Sequence, residues 1–399
     1  MSDSGASPTS GRAIALYLTG LAAFVGLYLP QPILPLLARD FGVDAQRATL
    51  VVSATILGIA LASPVIGVLS DRFGRRRILV VGSLLLAVCT AASAWAPTFT
   101  LLVVFRFIQG LLLPTLFAVG VAYVSESMPA ETMRVVAGVY VACTVVGGML
   151  GRLLAGSLAD LIGWRYGFVF SALLYLALLP LWARLPALPG VAVTSTLRRA
   201  LTGMLGHLRN RAILGGLLMG FFLFFAFQST FNYLPFRLES PPFSFSSSLI
   251  GITYLTYSAG VFSSIFAGWF SRLTSLRASL MVGYGLAIVG NLLALAPGLF
   301  VLIAGLLVLC FGNWLVQGLA VGFVATAAPN DRASANALYL LLYYFGGSLG
   351  AFLPGFLFPV LGFGGVVACS VLALAGGLAS AALLVRRSGR PAAVTAEET

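Results

Sequence analysis

Apolar runs of roughly twenty residues, each ended by arginine, proline or glycine, recur from one end of the chain to the other. Uncharged stretches occupy 78–105, 107–125, 212–236, 240–271, 278–330 and 333–385, and a bilayer core requires about 20 apolar residues per helix. Bounding the runs by charge, Pro or Gly predicts helices near 13–38, 48–70, 78–96, 99–125, 133–161 and 165–184, then 212–236, 246–270, 278–296, 299–328, 333–358 and 363–385. The polar linker 185–211 divides these twelve spans into halves at 1–184 and 212–399. Within the linker, Ser195 to Arg209 has the pattern of an amphipathic helix lying on an anionic membrane surface. The run after Arg12 is too long for a signal-peptide core and lacks a cleavage site, so it is expected to be a true first span.

Composition adds exclusions. Charged residues make up 9% of the 399 and apolar ones 60%, against about 25% charged in soluble chains, so a water-soluble monomer is excluded. All 23 cations are arginine, scattered singly or in short groups between apolar runs, which is no nucleic-acid footprint. Cys89, Cys143, Cys310 and Cys369 sit inside apolar runs without ligand spacing, and the one histidine, His207, lies in the linker. No metal, cofactor or catalytic machinery is expected. Seventeen arginines fall on the side of the termini and four, Arg39, Arg47, Arg165 and Arg237, on the other; this bias predicts cytoplasmic termini. Abundant Ala, Gly, Leu and Arg without lysine points to a GC-rich bacterial genome, hence a bacterial inner membrane. The remaining cations, Arg106 and Arg152, fall inside spans.

The halves repeat one another. At an offset of 199, the glycines of Gly147, Gly151 and Gly156 align with Gly346, Gly350 and Gly355, and Tyr140 aligns with Tyr339. Small residues at this spacing let helix backbones approach closely, so these glycines read as packing seams. Duplicated six-helix bundles joined by a linker have the geometry of carriers that rock about a site near the bilayer midplane. Arg106 and Arg152 have no counterpart, aligning near Leu306 and with Ala351; what the halves do not share is expected to carry the task.

The loop between the second and third spans reads Gly67-Val68-Leu69-Ser70-Asp71-Arg72-Phe73-Gly74-Arg75-Arg76-Arg77-Ile78-Leu79. It resembles, position by position, the signature GxLxDRxGRRxxL of the major facilitator superfamily, and the six-plus-six layout extends the resemblance over nearly the whole chain. The resemblance implies an all-helical membrane fold of two pseudo-symmetric six-helix bundles, alternating access, a monomer, and a latch at Asp71 that holds the cytoplasmic side shut when the protein faces outward. Its second-half equivalent, Gly268 to Arg272, lacks the acid. Arg106, Gln109 and Gly110 resemble the family's RxxQG motif, associated with proton-coupled members. Gly147, Gly151 and Gly156 resemble the antiporter motif GxxxGPxxGG, with Arg152 at the proline position and Ala155 replacing a glycine.

All eleven acids are terminal or near span ends, so an inward proton flow falls to Asp40, Asp160 or Asp71 near a mouth, biased by Arg106. Arg152 is open to pairing with Asp160 or Asp40, or to meeting an anionic substrate. The resemblance implies a cavity lined by spans one, four, seven and ten. Candidate substrate and coupling residues are Gln31, Arg106, Gln109, Arg152, Gln228, Asn232, Tyr257, Asn313, Gln317 and Tyr339; amides in hydrocarbon need partners. The expected function is proton-coupled efflux of a small drug-like or sugar-like organic solute. The rivals are import or uniport of an organic anion bound by Arg106 and Arg152, and a non-transporting membrane sensor or partner-binding subunit, against which the intact Asp71 loop argues.

Overall fold

The computed structural model describes residues 8–186, 197–328 and 331–384; Pro189, Ser195, Arg386, Arg387, Arg390 and the terminal acids lie outside them. In the first half, α1 (Pro8–Tyr28) continues through a tight turn at Gln31–Ile33 into α2 (Leu34–Phe41), forming one bent crossing, and α3 (Ala45–Ala48) leads into α4 (Leu50–Phe73). Then come α5 (Arg75–Ala94), α6 (Phe99–Ser127), α7 (Ala130–Leu161) and α8 (Arg165–Arg184). The linker holds α9 (Leu197–His207). The second half runs α10 (Arg211–Glu239), α11 (Ser247–Thr253), α12 (Ser258–Leu273), α13 (Leu276–Leu293), α14 (Leu299–Ala327), α15 (Arg332–Phe352) and α16 (Phe358–Leu384).

Polar residues at the borders of the runs fix where helices start. Thr98 Oγ1 accepts from Leu101 N, Asn210 Oδ1 from Ala212 N, Ser275 Oγ from Ala278 N and Asp331 Oδ1 from Ser334 N, each satisfying a donor that the first helical turn leaves free. Gly74, at φ +87°, turns the chain between α4 and α5. Arg237 donates to the Leu295 and Ala296 carbonyls beyond the end of α13.

Eleven of the described helices are long and apolar enough to cross a bilayer. The twelfth crossing, Ser247 to Leu273, is broken at Tyr254–Tyr257, where the helix tightens to a 3₁₀ turn. There Thr253 and Thr256 turn their hydroxyls back onto the carbonyls of Ile250 and Thr253, 2.6 and 2.8 Å away. The protein is thus a multi-pass membrane protein of twelve crossings in two six-helix bundles.

Each bundle packs the same way. α1 lies on α7 as α10 lies on α15, and α4 on α6 as α12 on α14. A Cβ on Gly147 or Gly151 would stand 2.4 or 2.5 Å from the Leu21 or Val25 carbonyl oxygen of α1. One on Gly346 or Gly350 would stand 2.3 or 2.1 Å from the Phe221 or Phe225 oxygen of α10. No side chain fits at such approaches. Tyr140 stands over Gly20 as Tyr339 stands over Gly220, so the aligned tyrosines also hold helix pairs together. Gly156 and Gly355 do something else, packing across the bundles: the first against Ser247 of α11, the second against Gln46 of α3 and Tyr233.

The bundles meet along α4 with α15 and α7 with α11, and the described side-chain hydrogen bonds between them cluster toward the end away from the termini. There Ser53 and Ser348 exchange hydrogen bonds at 2.9 and 3.0 Å, Asp160 accepts from the backbone N–H of Ser247 and Ser248 at 3.2 and 2.8 Å, and Arg39 pairs with Glu239. The linker helix α9 docks against the opposite ends of α4 and α15, with Met204 buried and His207 Nε2 3.4 Å from Asp331. It therefore contacts both bundles, beyond the membrane-surface role its sequence suggests.

Candidate functional site

Between the bundles lies a cavity of about 440 Å³. Val141, Thr144, Val145, Gly148 and Arg152 of α7 line it in succession from the end that holds the termini, and exposed Val141 and Val321 mark the mouth. The facing wall is aromatic. Phe224 stacks on Tyr343 with centroids 4.1 Å apart, and Phe227 sets its edge to Trp314 at 5.1 Å. The amides of Asn313 and Gln317, from the middle of α14, supply polarity, with Gln317 Oε1 accepting from Tyr343 OH at 2.9 Å. A second concavity of about 460 Å³, between α11 and the start of α14, is walled by Phe245, Leu249, Leu299 and similar side chains without a charge or amide, which suits lipid rather than a selected solute.

Arg152 closes the floor of the central cavity. Its Nε donates to Gln31 Oε1 at 2.7 Å, Nη1 to the Gly148 carbonyl at 2.7 Å and Nη2 to Tyr257 OH at a loose 3.4 Å. The guanidinium carbon stands 4.1, 4.4 and 4.9 Å from the ring centres of Tyr28, Tyr257 and Tyr254. These faces attract a cation without neutralising it. Gln31 carries the chain onward, its Nε2 donating to Asn232 Oδ1 of α10 at 3.3 Å, while Asn232 donates to its own helix at Gln228 O. A polar thread thus crosses from α7 through the bend after α1 to the second bundle.

The structure brings Arg152, Tyr257, Asn313 and Gln317 to the cavity and ties Gln31 and Asn232 to it. Arg106 and Gln109 stand apart, inside the first bundle. Arg106 is fully buried and donates to the carbonyls of Gly26, Leu27 and Val51 at 2.9, 2.7 and 3.1 Å and to Gln109 Oε1 at 2.6 Å. Gln109 donates to Ser93 Oγ and to the Cys89 carbonyl. The Gly26 carbonyl needs Arg106 because its regular helical donor would be residue 30, a proline without N–H. Gln228 is buried with neither amide atom partnered among the described residues, and Tyr339 is buried between α10 and α15; neither lines the cavity.

The acids are engaged elsewhere. Asp40 accepts from Trp164 Nε1 at 2.6 Å and Asp160 caps α11, so neither pairs with Arg152. Asp71 bonds Arg75 of its own bundle at 2.9 Å, and Arg75 holds Glu126 through two bonds of 2.6 and 2.5 Å. Arg76 reaches the Ala183 carbonyl, tying the signature loop to the end of α8. In this conformation the bonds of the loop among the described residues stay within one bundle, and Asp71 has none across the gap among them.

Tyr28 and Tyr254, aromatic residues on spans that the sequence already sets at or beside the cavity, complete the cage. The seam of Ser53 with Ser348 and of Asp160 with α11 joins residues far apart in the chain, and small hydroxyl residues inside spans give no signal of it.

A membrane fold of two like bundles around an amphipathic cavity, closed at one end and open toward the other, defines a solute carrier. The sequence profile of the Major Facilitator Superfamily matches residues 16–253, and the chain belongs to that family. It is 33% identical over 363 residues to the inner membrane transport protein YnfM of Escherichia coli (strain K12), covering 90% of this chain and 87% of that one. The chloramphenicol resistance protein CraA of Acinetobacter baumannii is 33% identical over 163 residues, 41% of this chain and 40% of that one. Among solved structures, a bacterial homolog to the human lysosomal transporter Spinster superposes with a TM-score of 0.76 at 16% identity, covering 95% of each chain; this likeness bears on the fold alone. The protein is a membrane transporter of this family.

Proposed function

We propose that the protein is a secondary transporter that moves a small organic solute out of the cell by alternating access, acting as a monomer in a bacterial inner membrane with both termini in the cytoplasm. The observation that carries this reading is the cavity itself: about 440 Å³ between the bundles, lined with amides and aromatic faces, with the bundles bonded together beyond its floor and its mouth toward the termini. The distribution of arginines supports the orientation, which makes this the conformation that takes solute from inside. The name of YnfM supports an inner-membrane location, and that of CraA supports handling of an organic compound in the direction that protects the cell. The units of the carrier are the halves 1–184 and 212–399, with 185–211 as the tether.

Asp71 gives the test. Rocking to face outward brings the ends of α4 and α15 together, and a carboxylate at the signature loop then has cationic or helix-end donors from the second bundle to meet. Everted vesicles carrying the wild type are expected to accumulate members of a panel of aromatic acids, amides and amines, with and without an imposed pH gradient. Asp71→Asn is expected to fall below a tenth of that rate at an unchanged level of folded protein in the membrane. Vesicles that accumulate nothing would count against the carrier reading, and an Asn variant at full rate would remove the latch from it.

A further inference from the structure

Arg152 poses an electrostatic problem that the fold leaves unsolved. A guanidinium buried in a membrane protein is costly unless it is paired or faces a polar cavity. The two intramembrane arginines answer this differently. Arg106 meets four acceptors at 2.6–3.1 Å, three of them carbonyls, and is a finished structural bond. Arg152 has two close acceptors, a third at 3.4 Å, and no carboxylate among the described ion pairs. Of its five N–H groups, Nε is used, while each terminal nitrogen keeps an N–H beyond the one bond it makes. Arg152 lines the cavity floor with its side chain buried under Tyr28, Tyr254 and Tyr257, and two parallel N–H groups match the two oxygens of a carboxylate.

We infer that Arg152 is the anion site of the cavity and that the transported solute is an organic carboxylate with a flat, apolar body. This rests on the carrier reading and specifies its substrate. The acid group takes the terminal nitrogens of Arg152 in place of the loose Tyr257 contact, and the body lies between the aromatic wall of Phe224, Phe227 and Trp314 and the amides of α14. Tyr28, half-buried beside the guanidinium, is the side chain that must swing to admit it. The cavity needs no carboxylate of its own, because the solute brings the charge. The loaded site is then neutral, and an inside-negative potential drives net efflux by drawing the empty, positively charged site back inward.

Gln31 is the positioning residue. It holds Nε while leaving the terminal nitrogens free, and it relays the position of Arg152 to Asn232 in the other bundle. Gln31→Glu would supply the missing counter-charge from within the protein.

The test uses the full-length chain purified in lipid nanodiscs, with binding measured by calorimetry for 2-naphthoate and its neutral isostere 2-naphthamide, and with uptake of the wider acid, amide and amine panel in proteoliposomes. The acid is expected to bind more than tenfold tighter than the amide. Arg152→Gln should erase that ratio and Arg152→Lys keep part of it. Gln31→Glu should raise the melting temperature while abolishing acid binding, a pair of changes that a purely structural Gln31 would not produce. Uptake confined to amides or amines, or an acid preference that survives in Arg152→Gln and Gln31→Glu, would overturn the anion assignment and leave the carrier standing. Failure of every solute to enter would overturn the carrier reading and the assignment with it.

Discussion

A disulfide between Ser53→Cys and Ser348→Cys is expected to stop transport. The two hydroxyls lie 3.0 Å apart, and each donates to the other's backbone carbonyl, at 2.9 and 3.0 Å. Sulfurs on the same Cβ atoms fall close to bonding range with modest adjustment. They sit on α4 and α15, one of the two lines along which the bundles touch, near the end that must part for solute to leave. The two hydroxyl–carbonyl bonds across this seam are each worth about 0.5–1.5 kcal/mol, weak enough to break in every cycle, whereas a covalent bond is not. With the native cysteines Cys89, Cys143, Cys310 and Cys369 replaced, oxidation should lower the rate more than tenfold and a reductant should restore it. Transport at the full rate with the bond verified by mass would mean that this seam never opens.

Replacing Arg106 should cost the fold rather than the chemistry. Its removal strands the carbonyls of Gly26 and Leu27 in a dry bundle interior, leaves the Val51 carbonyl to Thr55 Oγ1 and its own helix, and takes the donor away from Gln109 Oε1. Each buried acceptor left unpaired costs about 1–3 kcal/mol, so Arg106→Met is expected to destabilise the first bundle by several such increments and yield little monodisperse protein. Lysine, with one compact ammonium, reaches fewer of these acceptors than a planar fork, and Arg106→Lys should be intermediate. The measurement is thermal unfolding in detergent alongside transport. A methionine variant with wild-type melting and no transport would return Arg106 to the solute pathway.

This contrast marks how far the sequence could be read. Twelve crossings, the linker and the repeat were legible because apolar run length and glycine spacing are local properties. The alignment of Tyr140 with Tyr339 and of the glycines at offset 199 corresponds to matched helix packing in the two halves. The eighth crossing is legible in extent but not in its break at Tyr254–Tyr257, which no proline marks. Arg106 and Arg152 match different family motifs, yet the sequence offers both as binding cations, since both are lone charges in apolar spans. What separates them is three-dimensional: both are buried, but one meets backbone carbonyls beside a helix whose ladder Pro30 interrupts, and the other lies under tyrosine rings at the floor of the cavity. The outer seam was illegible for the same reason, because Ser53 and Ser348 are ordinary helix residues until the bundles are docked. Asp160 reads in sequence as an acid near a mouth, but its use as a cap on a helix of the other bundle follows only from tertiary structure.

The rocking of the bundles can be measured directly with pairs of spin labels at their two ends, read by pulsed electron resonance in nanodiscs. Leu161 and Leu249, exposed on α7 and α11, report the end away from the termini; Phe73 and Leu273, exposed on α4 and α12, report the other. On adding a solute that the vesicles accept, the first distance should lengthen and the second shorten within one population of molecules. Two distances that stay fixed, or that grow together, would contradict a carrier that opens its ends in turn.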